Sequence, residues 1–335
     1  MKKVLITGAG GFIGSFLVDE ALSLNFDVWA GVRATSSREF LQDDRIHFVD
    51  LAFSDTEKLR NQLLECKQKF GGWDYIIHNL GATKVAKLSD FNLINFEFTK
   101  NFVEALIACN MIPRQFIYMS SLSVCGPFDE KGTSAINETF VPSPNTAYGV
   151  SKRQTEIFLE SLSDFPYVIL RPTGVYGPRE KDYFLMIKTI KSGFDLSVGF
   201  APQYLTFIYV KDLARIAFLV IEHQIVRRNY FISDGETYLA KDFLAYSRKY
   251  LPKKLVVSVK IPLLLVRILS LIIESLATLN GKISTLNSDK YKIMKQRNWK
   301  CDITPLQHDL HFETQYNLAK GLEESIDWYK QNNWI

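Results

Sequence analysis

Tyr148 and Lys152, within the segment AYGVSK, are residues whose types and spacing suggest proton transfer. Side chains four residues apart lie on one face of a helix, so the phenol and the ammonium would point into the same cleft. A phenol alone has a pKa of about 10 and exchanges protons poorly near neutral pH. A neighbouring ammonium stabilises the phenolate and lowers that pKa, as general acid–base catalysis requires. The alternative interpretation is an ordinary Tyr/Lys pair on a helix surface.

A hydroxyl that could orient a reacting oxygen precedes this pair, in the segment MSSLSVCG at Met119–Gly126. Ser121 would hydrogen-bond the substrate oxygen and hold it near Tyr148. Ser123 is the alternative hydroxyl in the same segment.

A glycine-rich turn near the start of the chain reads TGAGGFIG, from Thr7 to Gly14, with a predicted strand before it and a helix pattern after it. Glycines at positions 8, 11 and 14 allow a tight turn and a close approach of backbone to a pyrophosphate. The helix N-terminus would offer free N–H groups and a positive dipole end to that anion. The alternative is a glycine-rich turn that binds nothing.

The residues after the second predicted strand bear on the choice of dinucleotide. An acidic side chain there would hydrogen-bond the ribose 2′-hydroxyl of NAD, but the chain has Val32 and Arg33, with Arg38 nearby. A guanidinium can hold a 2′-phosphate by two hydrogen bonds, so NADP(H) is favoured, with NAD(H) as the other possibility. The alternative is that Arg33 is a solvated surface charge.

Short apolar runs alternate with helical patterns through the first half of the chain, and the runs lack an apolar–polar alternation. Strands buried on both faces of a parallel sheet have this pattern, so the predicted fold is α/β, a doubly wound parallel Rossmann sheet. We assign residues 1–177 to the dinucleotide-binding domain, which later strands could join, and 178–335 mostly to a smaller C-terminal substrate-binding region. The predicted strands are Val4–Thr7, Asp27–Val32, Ile46–Leu51, Tyr75–Asn79, Phe116–Ser120 and Val168–Arg171, and the predicted helices are Gly14–Leu24, Asp55–Gln68, Phe91–Cys109 and Ala147–Leu162.

The Gly-x-x-Gly-x-x-Gly spacing, with the serine, tyrosine and lysine in this order, resembles the extended short-chain dehydrogenase/reductase family, also called the NAD-dependent epimerase/dehydratase superfamily. The segments LRPTGVYGPRE and FIYVKDLA extend the resemblance, and Asp212 in the second is expected to cap or orient a helix. Ser121 is preferred to Ser123 because its distance from Gly126 is the family's usual one. The chain departs from the family at Cys125, where the family usually has tyrosine. This difference affects a contact with the substrate.

The resemblance implies that Ser121, Tyr148 and Lys152 are catalytic and that a homodimer forms through Phe91–Cys109 and Ala147–Leu162. It also implies a set of cofactor-binding residues: Gly8, Gly11, Phe12, Ile13, Gly14, Arg33, Asp50, Leu51, Leu80, Gly81, Tyr148, Lys152, Pro172 and Val175.

Three functions are compatible with these motifs. The first is an NAD(P)(H)-dependent oxidoreductase that interconverts a ketone and a secondary alcohol on a small, fairly apolar substrate, as in the dihydroflavonol-reductase-like and 3β-hydroxysteroid-dehydrogenase-like branches. The second is a nucleotide-sugar epimerase or dehydratase with tightly bound NAD(P). Such members usually carry an arginine where this chain has Leu205, although Arg179 or Lys181 could replace it. The third is a non-enzymatic dinucleotide-binding subunit.

The segment Ile261–Leu279 is largely apolar, with one narrow stripe of polar residues: Arg267, Ser270, Glu274 and Thr278. It could pack in the core, line an apolar substrate cleft or meet a membrane surface. A transmembrane span is not predicted, because the segment is short and contains an arginine.

Composition excludes several other classes of protein. The net charge of +4 over 335 residues is too small to indicate nucleic-acid binding. The four cysteines are far apart, and the five histidines have no metal-ligand spacing, so no metal is predicted. No secretory signal precedes the first strand pattern, which favours a cytoplasmic protein with free thiols.

Overall fold

The computed structural model describes residues 1–131, 134–252, 255–279 and 286–335, and the side chains of residues 278 and 279 are outside the description. Within these ranges, no helix is both long enough and apolar enough to cross a membrane.

Strands and helices alternate along most of the chain. The strands are β1 (Lys3–Thr7), β2 (Asp27–Gly31), β3 (His47–Val49), β4 (Tyr75–His78), β5 (Gln115–Met119), β6 (Tyr167–Pro172), β7 (Gly174–Tyr176), β8 (Phe194–Val198), β9 (Tyr204–Leu205), β10 (Phe207–Tyr209), β11 (Arg228–Ile232), β12 (Tyr238–Leu239) and β13 (Val257–Ile261). The helices are α1 (Phe12–Ser23), α2 (Thr56–Phe70), α3 (Ser89–Phe91), α4 (Phe98–Ala108), α5 (Ala147–Ser161), α6 (Asp182–Ser192), α7 (Val210–Glu222), α8 (Ala240–Tyr250), α9 (Leu263–Leu279), α10 (Ser288–Lys295), α11 (Thr304–Leu310) and α12 (Leu318–Gln331).

A seven-stranded sheet with the order β11-β6-β5-β4-β1-β2-β3 forms the centre of the molecule. All six pairings in it are parallel. Val4, Leu5 and Ile6 of β1 are each 0% exposed, as expected of a central strand covered on both faces. The predicted doubly wound Rossmann fold is confirmed, and β11 is the strand from the later half of the chain that joins this sheet.

Apolar layers cover both faces of the sheet. Leu17 of α1 and Phe218 of α7 belong to one buried cluster. Leu63 of α2 and Phe102 of α4 belong to the cluster on the other face. The carboxyl ends of the parallel strands therefore open at one edge, between these layers, and ligands in such folds bind at that edge.

A third apolar cluster holds the later elements together and includes Tyr176, Phe207 and Tyr329. Helix α12 is seated on this cluster at Gly321, where a Cβ would lie 2.2 Å from Oη of Tyr176. The Tyr329 hydroxyl donates a hydrogen bond of 2.9 Å to the Gly177 carbonyl oxygen. The last helix, α12, therefore packs these later elements together.

Helix α9 exposes apolar side chains and buries part of its polar stripe, which is the reverse of an ordinary surface helix. Ser270 is 1% exposed, and Glu274 accepts a 2.9 Å hydrogen bond from the backbone N–H of Ser288. Leu264 and Leu271, by contrast, are 68% and 51% exposed. Of the three alternatives for this apolar segment, packing in the core is not the one found, because much of its narrow polar stripe, rather than its apolar surface, faces the protein.

Candidate active site

Helix α5 positions the tyrosine and the lysine. Thr146 begins the helix by accepting a 3.0 Å hydrogen bond from the N–H of Gly149. Tyr148 then lies half-buried in the first turn, with its ring 5.8 Å from that of Phe91 in an edge-on arrangement. Lys152 is 4% exposed and donates a 2.8 Å hydrogen bond to the carbonyl oxygen of Met119, at the end of β5.

Ser121 follows β5 and faces the same tyrosine. Its Oγ accepts a 3.1 Å hydrogen bond from the N–H of Ser123, and its side chain is hydrogen-bonded to Tyr148. The backbone of Ser123 packs against α5, since a Cβ on Gly149 would lie 2.4 Å from the Ser123 carbonyl oxygen. The structure brings Ser121, Tyr148 and Lys152 into one cluster.

Loss of hydration moves the two proton-carrying groups in opposite directions. Burial raises the pKa of Tyr148 to about 12, against a smaller lowering by its hydrogen bond with Ser121. Burial lowers the pKa of Lys152 to about 7, although the nearby Glu156 carboxylate raises it. The expectation that the neighbouring ammonium lowers the pKa of Tyr148 is therefore wrong, because the loss of hydration dominates. Near neutral pH the phenol keeps its proton, while the ammonium is close to its titration point.

A buried carboxylate beneath the site was not predicted. Glu156 is 0% exposed and receives hydrogen bonds of 2.9 and 2.8 Å from the Arg171 guanidinium. It also accepts a 2.6 Å hydrogen bond from the hydroxyl of Ser120 and a 3.0 Å bond from Arg153. The available signal was the acidic residue four positions after Lys152, together with an arginine inside a buried strand.

Asn95 is a second residue that sequence reasoning missed. It lies in a π-helical segment, Asn92–Glu97, between α3 and α4, and is 0% exposed. Its Oδ1 accepts a 2.7 Å hydrogen bond from the N–H of Ala82, and its Nδ2 donates a 3.0 Å bond to Oγ of Ser151. The amide thus ties the loop after β4 to α5.

That loop approaches the lysine closely. A Cβ on Gly81 would lie 3.0 Å from Nζ of Lys152, so the backbone lies directly beside the ammonium. The N–H of Leu80 donates a 3.1 Å hydrogen bond to Oγ1 of Thr7, which fixes the loop against the end of β1.

The glycine turn has the shape of a pyrophosphate cradle. Gly8 has a φ of 65°, and a Cβ on Gly14 would lie 2.1 Å from the Gly8 carbonyl oxygen. Gly11 precedes α1 without any side-chain cap, so the first-turn N–H groups of Phe12, Ile13 and Gly14 have no capping partner. These donors and the helix dipole fit the phosphates of a dinucleotide.

The loop after β2 touches this turn. A Cβ on Gly10 would lie 2.8 Å from the Ser37 carbonyl oxygen, and Arg33 is exposed at the start of the same loop. Asp50 accepts a 2.9 Å hydrogen bond from the N–H of Ala34 and so anchors the loop. Arg38 lies with its guanidinium 4.1 Å from the ring centre of Phe48.

The remaining predicted cofactor residues lie at strand ends of the same region. Leu51 is 4% exposed and follows β3, Pro172 ends β6, and Val175 lies in β7, half-buried against the core.

Arg179 is one of the two residues that could replace the missing arginine. Its guanidinium forms a 3.0 Å ion pair with Asp19 and a 2.9 Å hydrogen bond with the hydroxyl of Ser15. It also lies over the rings of Phe16 and Phe40. Its charge is therefore engaged with α1.

Asp212 does not cap its own helix. It is 1% exposed, and its Oδ2 accepts 3.0 Å hydrogen bonds from the N–H groups of Gln315 and Tyr316 and from the Thr314 hydroxyl. It orients the segment that leads into α12.

Salt bridges beside the start of α5 join residues that are far apart in the sequence. Asp182, at the start of α6, pairs with Lys84 and, at 3.6 Å, with Lys290 of α10. Asp289 accepts a 2.6 Å hydrogen bond from the N–H of Ala147, at the start of α5. No local pattern indicates these contacts.

The model of the NAD dependent epimerase/dehydratase family matches residues 4–232. The chain therefore belongs to this family, and the predicted extended short-chain dehydrogenase/reductase type is confirmed. It is an NAD(P)-dependent enzyme.

Relatives within the family differ in what they act on. The UDP-glucose 4-epimerase of Vibrio cholerae is 27% identical over 70% of this chain and 71% of its own length. The ceramide reductase of Caulobacter vibrioides is 24% identical over 99% of this chain and 96% of its own. The crystal structure of DesIV, a dTDP-glucose 4,6-dehydratase from Streptomyces venezuelae with NAD and TYD bound, has a TM-score of 0.77 at 19% identity and covers 99% of this chain and 98% of that one.

Proposed function

We propose that this protein is an NADP(H)-dependent reductase that converts a ketone on an apolar substrate to a secondary alcohol. The observation that carries the proposal is the convergence of Ser121, Tyr148 and Lys152, with a protonated phenol at neutral pH. A phenol that keeps its proton near neutral pH can give that proton to a substrate oxygen, as ketone reduction requires.

Each side chain has one role in the proposed reaction. Ser121 donates a hydrogen bond to the substrate carbonyl oxygen and holds it beside Tyr148. Tyr148 gives its proton to that oxygen, and Lys152 stabilises the charge left on the phenol and holds the ribose next to the nicotinamide. The reduced nicotinamide, when bound, supplies the hydride to the carbonyl carbon, so one hydride and one proton complete the alcohol.

The preference for NADP(H) rests on Arg33. The guanidinium is exposed directly after β2, beside the loop that touches the glycine turn, and it has no ion pair among the described residues. A 2′-phosphate in this position would receive charge-assisted hydrogen bonds from it.

An apolar substrate is favoured because the described residues at positions 205 and 179 offer no free arginine that could neutralise a charged substrate. Leu205 replaces the arginine expected of nucleotide-sugar enzymes, and Arg179 is occupied by Asp19. Phe91 packs against the catalytic tyrosine. The full-length similarity to a ceramide reductase agrees with a lipid-like ketone.

A direct assay tests this proposal. The purified protein is mixed with NADPH and a long-chain 3-keto amide dispersed in mild detergent, and the loss of NADPH absorbance and the formation of alcohol are followed. Turnover that NADH supports less well is the expected result. No turnover with this ketone or with shorter apolar ketones would overturn the proposal.

A nucleotide-sugar epimerase is the second candidate, and the relatives favour it, since the Vibrio cholerae protein is a UDP-glucose 4-epimerase. This activity uses the same three side chains but returns the hydride to the same sugar carbon. UDP-glucose converted to its C4 epimer, with cofactor that stays bound through purification and is not consumed, would establish this function. A dehydratase would use the same three side chains, and the dTDP-D-glucose 4,6-dehydratase of Homo sapiens matches 99% of this chain.

A further inference from the structure

The exposed surface of α9 is apolar along most of its length. Leu264, Ile268, Leu271, Ile272 and Leu276 are between 46% and 68% exposed. Only a narrow stripe that includes Val266 and Ser270 is buried against the protein. Contiguous apolar surface of this kind is uncommon on a protein that works free in water and marks a contact with a partner or a membrane.

The two-stranded sheet that leads into α9 continues this surface. In the parallel pair β8–β13, Phe194 lies opposite Val257 and Leu196 lies opposite Val259. Partners in register share one face of a sheet, and these four side chains are 40% to 54% exposed. Gly199, after β8, lies beside Leu263 at the start of α9. We call the exposed apolar residues of β8, β13 and α9 the apolar surface.

The exposed charges on the elements that carry the apolar surface are all basic. On α6, β8, β13 and α9, the charged side chains in the exposed class are Lys188, Lys260 and Arg267. Lys260 lies on the sheet face opposite to that of Val257 and Val259, so Lys188 and Arg267 are the ones that can lie beside the apolar surface. The acidic residues on these elements are less exposed, and two are engaged: Asp182 pairs with two lysines, and Glu274 binds Ser288. Basic groups beside an apolar face complement a surface of anionic lipid headgroups.

We propose that the apolar surface docks the protein onto an anionic lipid surface, with α9 lying in the plane of the interface. A helix of 17 residues is about 25 Å long and is too short to span the hydrocarbon core. A second copy of this chain fits less well, because a two-fold contact through this surface would bring its basic residues together.

The geometry also connects the docked surface to the catalytic helix. Helix α9 contacts α10 through Glu274 and Ser288, and Asp289 of α10 binds the first N–H of α5. Lys290 of α10 pairs with Asp182 at the start of α6. The docked face is therefore linked to the start of the helix that carries Tyr148, although the docking itself does not depend on the proposed function.

Co-sedimentation with vesicles tests the docking. Full-length protein is incubated with vesicles of phosphatidylcholine and phosphatidylglycerol, and with vesicles of phosphatidylcholine alone. The double variant Ile268→Gln/Ile272→Gln replaces two outward apolar side chains by polar ones, and we expect its partition coefficient to fall by about tenfold or more, because less apolar surface leaves water on docking. Lys188→Glu/Arg267→Glu is expected to abolish the preference for anionic vesicles, and added salt to weaken it in the wild type.

The matched control is Leu24→Gln/Leu64→Gln, which changes two leucines of 48% and 50% exposure outside this surface and is expected to bind vesicles as the wild type does. All variants must show the wild-type melting temperature and the wild-type rate on a short, water-soluble ketone, so a failed docking and a failed enzyme are distinguished. Wild-type protein that does not sediment with either vesicle overturns the proposal. So does a dimer in solution that Ile268→Gln/Ile272→Gln dissociates.

Discussion

Tyr148 and Lys152 lie four residues apart on one helix, and burial drives the pKa of one up and of the other down. In water a phenol and an ammonium have similar pKa values, of about 10. Inside the site the phenol is the weaker acid by far, so the proton stays on Tyr148 until a stronger base, such as the oxygen of a substrate that has accepted a hydride, is beside it. With the pKa of Tyr148 above that of Lys152, Tyr148 holds the proton that the proposed reduction delivers to the substrate oxygen.

Replacing Tyr148 by phenylalanine removes the proton donor and leaves the ring packing against Phe91. We expect kcat for ketone reduction to fall by about 10²- to 10⁴-fold, the usual contribution of a general acid. Cofactor affinity, measured by calorimetry, should stay within about threefold. A variant with near wild-type kcat would assign the proton to another group.

The rate of reduction should depend on pH through Lys152. Burial lowers its pKa from the ordinary 10.5 to about 7, so the ammonium is present below pH of about 7 and is lost as the pH rises above it. We expect kcat/KM for reduction to decline above pH of about 7, while Tyr148, with a pKa of about 12, does not titrate in this range. Lys152→Arg, which stays charged, should flatten the profile even though its activity is lower. A flat profile in the wild type would contradict this assignment.

Arg33→Ala tests the dinucleotide preference. Hydrogen bonds to a charged group contribute about 1.5–3 kcal/mol, so NADPH should bind about 10- to 100-fold more weakly. NADH affinity is the internal control and should not change. Equal losses for both dinucleotides would show that Arg33 does not read the 2′-phosphate.

At the scale of elements, the glycine turn allows a sharper test. A Cβ on Gly14 would lie 2.1 Å from the Gly8 carbonyl oxygen, so Gly14→Ala must displace the turn. We expect it to abolish dinucleotide binding and to lower the melting temperature by several degrees. Gly71→Ala is the matched control, because a Cβ there meets nothing within 4 Å and only the φ of 84° is strained. It should cost about 1 kcal/mol and leave binding intact. Equal effects of the two substitutions on dinucleotide binding would contradict the assignment of the glycine turn as the pyrophosphate site.

The sheet and its helices could be predicted because buried parallel strands leave continuous apolar runs. Val4–Thr7 was predicted within β1, and Ala147–Leu162 agrees with α5 to one residue. Phe91–Cys109 was predicted as one helix, but a π-helical segment interrupts it. The spacing of apolar side chains does not predict the π-helical segment. That segment places Asn95 between Ala82 and Ser151.

The orientation of α9 could not be predicted from its pattern. A polar stripe on an apolar helix ordinarily faces water, and here Ser270 is buried and Glu274 contacts α10 instead. The pairing of Arg179 with Asp19 could not be predicted either, since Asp19, on α1, lies much earlier in the chain. Contacts between distant segments decide both cases, and one sequence does not encode them locally.

At the scale of the whole molecule, the exposed side of α5 suggests how two copies meet. Val150 and Ile157, seven positions apart, are 41% and 52% exposed, and Ile107 on α4 is 38% exposed. We expect a homodimer through these helices, with Ile157→Glu shifting the protein to monomer in sedimentation velocity. Leu24→Glu, at a residue of similar exposure on another face, should leave the dimer intact. A wild-type monomer at micromolar concentration would refute this arrangement.

Helix α12 has a consequence for the order in which the enzyme is completed during synthesis. The hydroxyl of Tyr329 donates its hydrogen bond to the Gly177 carbonyl oxygen across a sequence separation of 152 residues. The ribosome produces the glycine turn, Ser121, Tyr148 and Lys152 long before α12. We therefore expect the dinucleotide-binding half to form first, and the region around Tyr176 to be completed only when α12 packs against it.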